Sequence, residues 1–271
     1  MLNRIVLLSL GYALLNTAFA ATDGIRLSNN QISLHSISTN VDYTETNNTG
    51  VLDTEDGRVS GLAVSLSSMK NGWVKSEYWY ADYDYSKGRT RYVGAYISGG
   101  GGYGSVVSTS GAVLSNYSFR YGKGFTLNNS TMLTPYAELG HHFWDRGVNY
   151  GEVYTHYYTG LGGLFQYSPN QSVVLSLNGL YGNTKNSHIK VVGGGGGDYG
   201  FAGPLGNSPL TRIGLAVDFR VDDNIYAKLS AERTRFIYGK SAVYYTGTGY
   251  FLEPDSSTSY TIVKLGLGHT F

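Results

Sequence analysis

The chain has 271 residues, a formal net charge of +1, 38 glycines, 25 tyrosines and no cysteine. The near-neutral charge, without a basic stripe, gives no reason to expect nucleic-acid binding. Without cysteine, disulfides and thiolate metal sites are excluded. The chain also lacks an apolar run as long as the ~20 residues of a membrane-spanning helix, which argues against a helical membrane protein.

The N-terminus has the features of a cleavable secretory signal. Arg4 precedes an apolar stretch from Ile5 to Leu15, and Ala18-Phe19-Ala20 provides an A-x-A cleavage site. We therefore expect residues 1–20 to be removed and residues 21–271 to form a single exported domain.

Ten segments of that domain alternate between apolar and polar residues, which is the pattern of β-strands with one face in an apolar environment. Short turns and long glycine- and tyrosine-rich connections separate them in strict alternation. The predicted strands cover residues 32–44, 60–67, 73–85, 113–125, 132–144, 154–167, 172–182, 210–221, 225–238 and 258–271. Eight strands is the main alternative, because alternation in the first segment is weak. Twelve would require strands inside the long loops, whose glycine content disfavours them.

The two faces of these strands predict where the apolar side chains go. In the eighth strand Ile213, Leu215 and Val217 oppose Arg212 and Asp218. A soluble sandwich would bury the apolar face, whereas a transmembrane barrel turns it towards lipid. The export signal and the alternation of short and long connections favour an all-β, antiparallel, up-and-down transmembrane barrel.

The end of the chain carries a second export feature. Residues 264–271 follow the pattern polar, any, Gly, any, any, aromatic, any, aromatic. Lys264, Gly266 and Phe271 match its polar, Gly and final aromatic positions, and His269 occupies the position of the first aromatic. The segment resembles the C-terminal sorting signal of Gram-negative outer-membrane barrels. The architecture of residues 21–271 resembles the OmpA/OmpX and opacity-type surface barrels. These resemblances imply an outer-membrane location with periplasmic termini, contact with lipid and lipopolysaccharide, and recognition by the barrel-assembly machinery.

The predicted interior face carries charges of both signs. A ten-stranded barrel is only slightly wider than the eight-stranded barrels that side chains fill, so buried charges there must pair. We predict a salt-bridged interior, and a narrow pore for small solutes is the alternative. The residues assigned to this face are Lys75, Glu77, Arg120, Glu138, Asp218, Arg220, Lys228, Glu232 and Lys264.

One enzymatic resemblance has to be weighed. Asp82 and Asp84 resemble the acidic pair of the omptin surface proteases, which are ten-stranded barrels. The Asp-x-His pair of omptins is missing, since the corresponding region has only His188 and Asp198, ten residues apart. The motifs of serine hydrolases, zinc proteases and P-loop enzymes are absent. We expect no enzyme activity, no cofactor and no metal site.

The long loops are the remaining candidates for function. Tyrosine mixed with glycine and serine is typical of adaptable binding loops, although tyrosine also crowns barrels at the level of the lipid headgroups. The candidate contact residues are Tyr92, Tyr96, Tyr103, Tyr244, Tyr245 and Tyr250. We predict a non-enzymatic surface protein whose loops bind host, cell-surface or envelope components. A narrow channel and an omptin-like protease or lipid-modifying enzyme are the alternatives.

Overall fold

The computed structural model describes residues 21–95, 101–148 and 150–271. The predicted signal, residues 1–20, and Tyr96 lie outside the described residues. Within the described ranges, helix α1 spans Ala21–Ser28. The strands are β1 Gln31–Asn47, β2 Gly50–Lys70, β3 Glu77–Gly94, β4 Val106–Lys123, β5 Phe125–Asn128, β6 Thr131–Arg146, β7 Glu152–Asn170, β8 Val173–Gly195, β9 Asp198–Pro204, β10 Pro209–Arg220, β11 Ile225–Tyr238, β12 Tyr244–Tyr245, β13 Tyr250–Phe251 and β14 Asp255–Thr270.

Ten of these strands close into an antiparallel barrel. The order around the wall is β1-β2-β3-β4-β6-β7-β8-β10-β11-β14, and β14 pairs again with β1. Short β5 continues β4 and pairs with β6, β9 returns from β8, and β12 and β13 form a separate hairpin. The predicted ten-stranded up-and-down barrel is confirmed, and the eight-stranded alternative is wrong.

The last strand forms the closing seam of the barrel. It pairs with β1 from Gln31 opposite Thr270 to Thr46 opposite Asp255. Gly266 permits this approach, because a Cβ there would lie 2.1 Å from the Leu34 carbonyl oxygen. Barrel closure thus pairs β1 with β2 on one side and with β14 on the other.

The connections differ at the two ends of the barrel. We name the end with the short β2–β3 and β7–β8 turns the turn end, and the opposite end the loop end. At the loop end the strands are longer than predicted, since β8 and β9 form a hairpin inside the predicted loop of residues 183–209. Its glycines do not prevent strand pairing, because Gly195, Gly196 and Gly197, which have positive φ angles, occupy the tip.

The outward face of the wall is mostly apolar, whereas the inward face combines polar and charged side chains with apolar and aromatic ones. Leu62, Leu215 and Leu265 expose 61–63% of their surface, whereas their inward neighbours include buried Ser65 and Asp218. This distribution is the inverse of a soluble protein's and is that of a transmembrane barrel. Among the described residues, no helix is both long and apolar enough to span a membrane.

Helix α1 fills the turn end of the interior. Ile25 is completely buried in the inward apolar cluster that also contains Met132 and Leu164. The Asn29 side-chain amide donates to Gln166 Oε1 on β7 at 2.7 Å. Thr22 N donates to the Asn129 carbonyl oxygen at 2.9 Å. These contacts place α1 as a floor beneath the interior.

Candidate functional site

Four charged side chains form a network across the middle of the interior. Glu138 accepts from Arg120 Nε at 2.6 Å and from Arg212 Nη1 at 2.5 Å. Glu232 Oε1 lies 3.1 Å from Arg212 Nε, which donates to Thr234 Oγ1, and Glu232 Oε2 lies 3.9 Å from Arg120 Nη2. Each arginine therefore lies between two carboxylates. Arg120, Glu138 and Glu232 were among the predicted luminal residues, whereas Arg212 was missed although its inward direction was recognised.

Tyrosine rings fill the space around this network. The guanidinium carbon of Arg120 lies 4.9 Å from the Tyr80 ring centroid and 5.0 Å from that of Tyr136. Tyr158 OH donates to Glu138 Oε1 at 2.7 Å. Stacking and hydrogen bonding together compensate for the removal of these charges from water.

Two further ion pairs lie nearby. Lys264 Nζ donates to Asp82 Oδ2 at 2.7 Å. Lys228 Nζ lies 3.5 Å from Asp218 Oδ1. The structure thus places six of the predicted luminal residues inside the barrel: Arg120, Glu138, Asp218, Lys228, Glu232 and Lys264.

The other three predicted luminal residues lie elsewhere. Lys75 is exposed in the β2–β3 turn, and Glu77 accepts from Trp73 N at 2.9 Å in that same turn. The even-numbered residues of β3 face inwards, so the face assigned to Lys75 and Glu77 was wrong. Arg220 shares the inward face of β10 with Arg212 and Asp218, but it lies at the turn end, where it pairs with Asp223 at 3.0 Å instead of joining the network.

Two small cavities flank the network. They measure about 60 Å³ and about 140 Å³, and Tyr80, Arg120, Glu232 and Lys264 line both. Cavities of this size hold a few water molecules. The network side chains therefore lie between the two cavities.

A hydrogen-bonded chain lies above the smaller cavity. Asn116 Nδ2 donates to Asp84 Oδ1 at 2.7 Å, and Asn116 Oδ1 lies 2.5 Å from His142 Nδ1. The rings of His142 and His156 are 5.0 Å apart, and His156 Nδ1 lies 2.6 Å from Tyr238 OH. These side chains, which we name the histidine layer, form another packed layer across the interior.

Near the loop end, Arg146 is completely buried among five carboxyl groups, which we name the Arg146 cluster. Its guanidinium stacks 4.2 Å from the Tyr43 ring centroid. Tyr154 OH donates to Glu253, which has no direct salt bridge to the arginine. The contacts with the guanidinium are to Glu55 at 2.8 Å, Glu152 at 2.9 Å, Glu45 at 3.3 Å and Asp53 at 3.7 Å.

One guanidinium cannot balance five carboxylates in a buried site, and protonation reduces the mismatch. Burial and the negative charge of Glu45 raise the pKa of Asp53 to about 8. Burial, with Glu45 and Glu152, likewise raises the pKa of Glu253 well above its usual range. The cluster therefore holds protons at neutral pH. Among the described residues, no group of three or more His, Asp or Glu has the geometry of a metal site.

Four exposed tyrosines from three connections form what we name the tyrosine patch at the loop end. Tyr199, Tyr150, Tyr250 and Tyr245 expose 81%, 78%, 77% and 64% of their surface. The rings of Tyr245 and Tyr250 are 5.2 Å apart. Tyr199 N donates to the Thr246 carbonyl oxygen at 2.8 Å, which ties the β8–β9 hairpin to the β12–β13 hairpin.

Small residues bring the patch tyrosines close to the neighbouring loops. A Cβ on Gly194 would lie 2.5 Å from the Tyr150 ring, and one on Gly247 would lie 2.7 Å from the Tyr199 ring. Beneath the patch, Phe201 stacks on Tyr244 with ring centroids 5.1 Å apart. This stack joins β9 to the β12–β13 hairpin that carries Tyr245 and Tyr250.

The predicted loop contacts divide between several places. Tyr245 and Tyr250 belong to the patch, and Tyr244 lies half-buried below it. Tyr103 is exposed, with its hydroxyl 3.0 Å from Thr54 Oγ1. Tyr92, on β3, faces the barrel interior and is buried, so its assignment as a loop contact is wrong. Tyr150 and Tyr199 were missed, because a single aromatic in a glycine-rich segment has no periodic signal.

The four predicted assembly residues lie on β14 and at its end. Gly266 is at the seam, and Lys264 faces the interior. His269 faces outwards opposite Ile32. Phe271 is 56% exposed, with Lys70 Nζ 4.7 Å from its ring centroid.

No protein-family model and no curated sequence matches the chain, whereas solved structures do. The outer membrane protease OmpT from Escherichia coli gives a TM-score of 0.58 at 9% identity, over 95% of this chain and 100% of that chain. The fold is that of an outer-membrane β-barrel. The β domain of the Bordetella autotransporter Brka (TM-score 0.41, 15% identity, 89% and 100% covered) and OprG from Pseudomonas aeruginosa (0.37, 9%, 89% and 96%) are also similar.

The similarity to OmpT concerns the fold, and the residues of the omptin resemblance are arranged differently here. Asp82 and Asp84 face the barrel interior, where Lys264 and Asn116 bind them. His188 is exposed on β8 opposite Pro204, whereas Asp198 accepts from Gly200 N at the hairpin tip. The structure therefore does not bring a second Asp–His pair to the acidic pair.

The outer-membrane fold also locates the functional clusters relative to the lipid. The outward neighbours of the Arg146 cluster are polar, with Thr44 and Thr46 beside Glu45 and Asp56 beside Glu55. Leu62, in the apolar band of β2, is nine residues from Asp53, which is roughly 30 Å along a strand. The Arg146 cluster and the tyrosine patch thus lie in the part of this barrel that projects beyond its apolar band.

Proposed function

We propose that this protein is a non-enzymatic, non-conducting surface protein of the outer membrane. Its turn end, with both chain termini, faces the periplasm, and its loop end binds a host, cell-surface or envelope component. The observation that carries this proposal is the tyrosine patch, in which three connections present four exposed tyrosines at the loop end, two of them with rings 5.2 Å apart.

The interior supports a role that does not involve transport. The four-charge network, the histidine layer and the Arg146 cluster follow one another along the bore, and α1 fills its turn end. Breaking buried pairs to admit a solute would leave charges uncompensated at several kcal/mol each. In the described part of the chain, this favours a function on the surface over one inside the barrel.

The chemistry of the patch fits binding. Tyrosine supplies a large, rigid contact area with a hydroxyl at its tip, and it loses little conformational entropy on binding. A contiguous group of exposed aromatic side chains is typical of an interaction surface. The stack of Phe201 on Tyr244 and the hydrogen bond from Tyr199 N to the Thr246 carbonyl oxygen hold the two hairpins together, which limits the conformational freedom lost on binding.

The test is adhesion of cells that display the full-length protein to an immobilised glycan array and to extracellular-matrix proteins. We expect the variant with Tyr150, Tyr199, Tyr245 and Tyr250 all changed to Ser to lose binding at least tenfold. Tyr103→Ser removes an exposed loop tyrosine outside the patch and serves as the control. The proposal would be contradicted if the variant with four substitutions bound as well as the wild type. It would also be contradicted if cells without the protein bound as well as cells that display it.

A further inference from the structure

Six exposed basic side chains lie on one side of the outer wall, and we name them the basic belt. They come from β2, β3 and β11, and all point outwards. The belt consists of Arg58, Lys87, Arg89, Arg91, Arg233 and Arg235.

The strand register aligns these residues around the wall. Arg233 of β11 pairs with Thr261 of β14, Thr261 pairs with Asn40 of β1, and Asn40 pairs with Arg58 of β2. Adjacent strands are about 4.8 Å apart, so Arg233 and Arg58 are separated by roughly 14 Å. Hydroxyl and amide groups occupy the positions between them.

The β2–β3 pair concentrates the charge. Asp56 pairs with Arg91 and Ser60 pairs with Lys87, so Arg58, midway between Asp56 and Ser60, faces Arg89. Arg89 therefore lies directly opposite Arg58 on the outward face, and Lys87 and Arg91 lie diagonally opposite it on the same face. This concentration is unfavourable in isolation, since like charges on directly opposite residues destabilise a sheet. An anionic partner would relieve it.

The belt begins at the edge of the apolar band. Tyr85 is the next outward residue of β3 from Lys87 towards the turn end, and it pairs with Leu62 of β2. Leu265 of β14 lies at the same height, because Ser36 of β1 pairs with both Leu62 and Leu265. Two residues rise about 6.6 Å along a strand, or roughly 5 Å along the barrel axis at a tilt of about 40°. The first belt residues therefore lie about 5 Å beyond the apolar band, at the height of lipid headgroups.

The belt has a strong excess of positive charge. At the height of the belt, the six basic residues are accompanied by two outward acids, Asp42 on β1 and Asp56 on β2, which gives a net charge of +4. The Arg91–Asp56 pair is long, at 3.7 Å, and both side chains are exposed. Arg58, Lys87 and Arg89 have no ion-pair partner among the described residues.

We propose that the basic belt binds the phosphate groups of an anionic lipid in the outer leaflet. Guanidinium groups bind phosphate oxygens in a bidentate manner, and Arg58, Arg89 and Arg233 present three of them. Asn40 and Thr261 offer polar contacts to the headgroup, and the apolar band below accommodates the acyl chains. Continuity of the belt with that band favours a lipid over a soluble anion. This proposal is independent of the tyrosine patch.

The test measures the Kd of bisphosphorylated lipid A for the full mature chain, refolded in neutral-detergent micelles, by native mass spectrometry. The variant is Arg58→Gln/Arg89→Gln/Arg233→Gln. The matched control, Lys185→Gln/Lys190→Gln/Lys240→Gln, removes three exposed charges outside the belt. A heat-modifiable gel shift verifies that each protein is folded, and dephosphorylated lipid A and inositol hexakisphosphate serve as comparison ligands.

Each basic residue near an anionic lipid surface contributes roughly a fivefold gain in binding, so the belt variant should raise the Kd about 100-fold. The control variant and the wild type should agree, and dephosphorylated lipid A should bind all three proteins equally weakly. Equal lipid A binding by the belt variant and the wild type would overturn the proposal. Inositol hexakisphosphate binding as tight as that of lipid A would overturn the assignment to lipid.

Discussion

Asp53 should make the stability of the loop end depend on pH. Its carboxyl group has a pKa of about 8 in the folded protein, against a usual value of 3.8. Below pH 3.8 the group is protonated in both states and its contribution to stability is complete. As pH rises from about 4 to about 8, the unfolded form ionises while the folded form keeps its proton, so stability falls.

The size of this effect follows from the shift. About four pKa units at about 1.4 kcal/mol per unit give a ceiling of about 6 kcal/mol for the loss of stability between pH 4 and pH 8. The Asp53 side chain is 7% exposed, so solvent screening reduces this value little. Glu253, whose pKa is also raised by burial, adds to the loss in the same direction.

Asp53→Asn keeps the size of the side chain and removes its titration. The assay is hydrogen exchange of peptides that cover residues 45–55 between pH 5 and pH 9, corrected for intrinsic exchange rates. We expect the pH slope of local opening free energy to decrease in the variant, with greater protection than the wild type at pH 9. Asp56→Asn is the control, because Asp56 is exposed on the same strand. An unchanged slope in Asp53→Asn would refute the reasoning.

Two further substitutions test the buried charge and the seam. Arg146→Met should destabilise the loop end by about 3–5 kcal/mol, because it leaves buried carboxyl groups without a cation. The control, Arg91→Met, removes an exposed arginine and should change the free energy of opening by less than about 1 kcal/mol. Similar hydrogen exchange in the two variants would contradict this prediction. Gly266→Leu should lower the refolding yield, since its Cβ would lie 2.1 Å from the Leu34 carbonyl oxygen. The control, Gly163→Ala, places its Cβ in open space and should refold as the wild type does. An equal refolding yield for both variants would contradict the role of Gly266 in the close pairing of β14 with β1.

The parts of the fold that could be predicted from the sequence are the strands whose two faces differ strongly in hydrophobicity. In β10, Ile213, Leu215 and Val217 point to lipid while Arg212 and Asp218 point inwards, so both the strand and its direction could be read. In β3 that contrast is weak, because aromatic residues occupy both faces. The strand begins at Glu77, after a turn, and the inward face was therefore assigned to the wrong residues.

The Arg146 cluster could not be predicted, because its members are distant in sequence. Glu45, Glu55, Glu152 and Glu253 meet around Arg146 through the register of separate strands and their connections. Register over such separations is set by barrel closure and not by local pattern. The tyrosine patch likewise depends on contacts between loops.

Planar-bilayer conductance of the refolded protein tests most directly whether the function lies on the surface or through the interior. Because the network of Arg120, Glu138, Arg212 and Glu232 joins the packed layers above it, the wild type should show no conductance steps. Arg120→Ala/Arg212→Ala, provided that it remains heat-modifiable, removes both cations of the network and should produce measurable leakage. Regular steps from the wild type that vary with salt concentration would contradict a closed interior and favour the narrow channel.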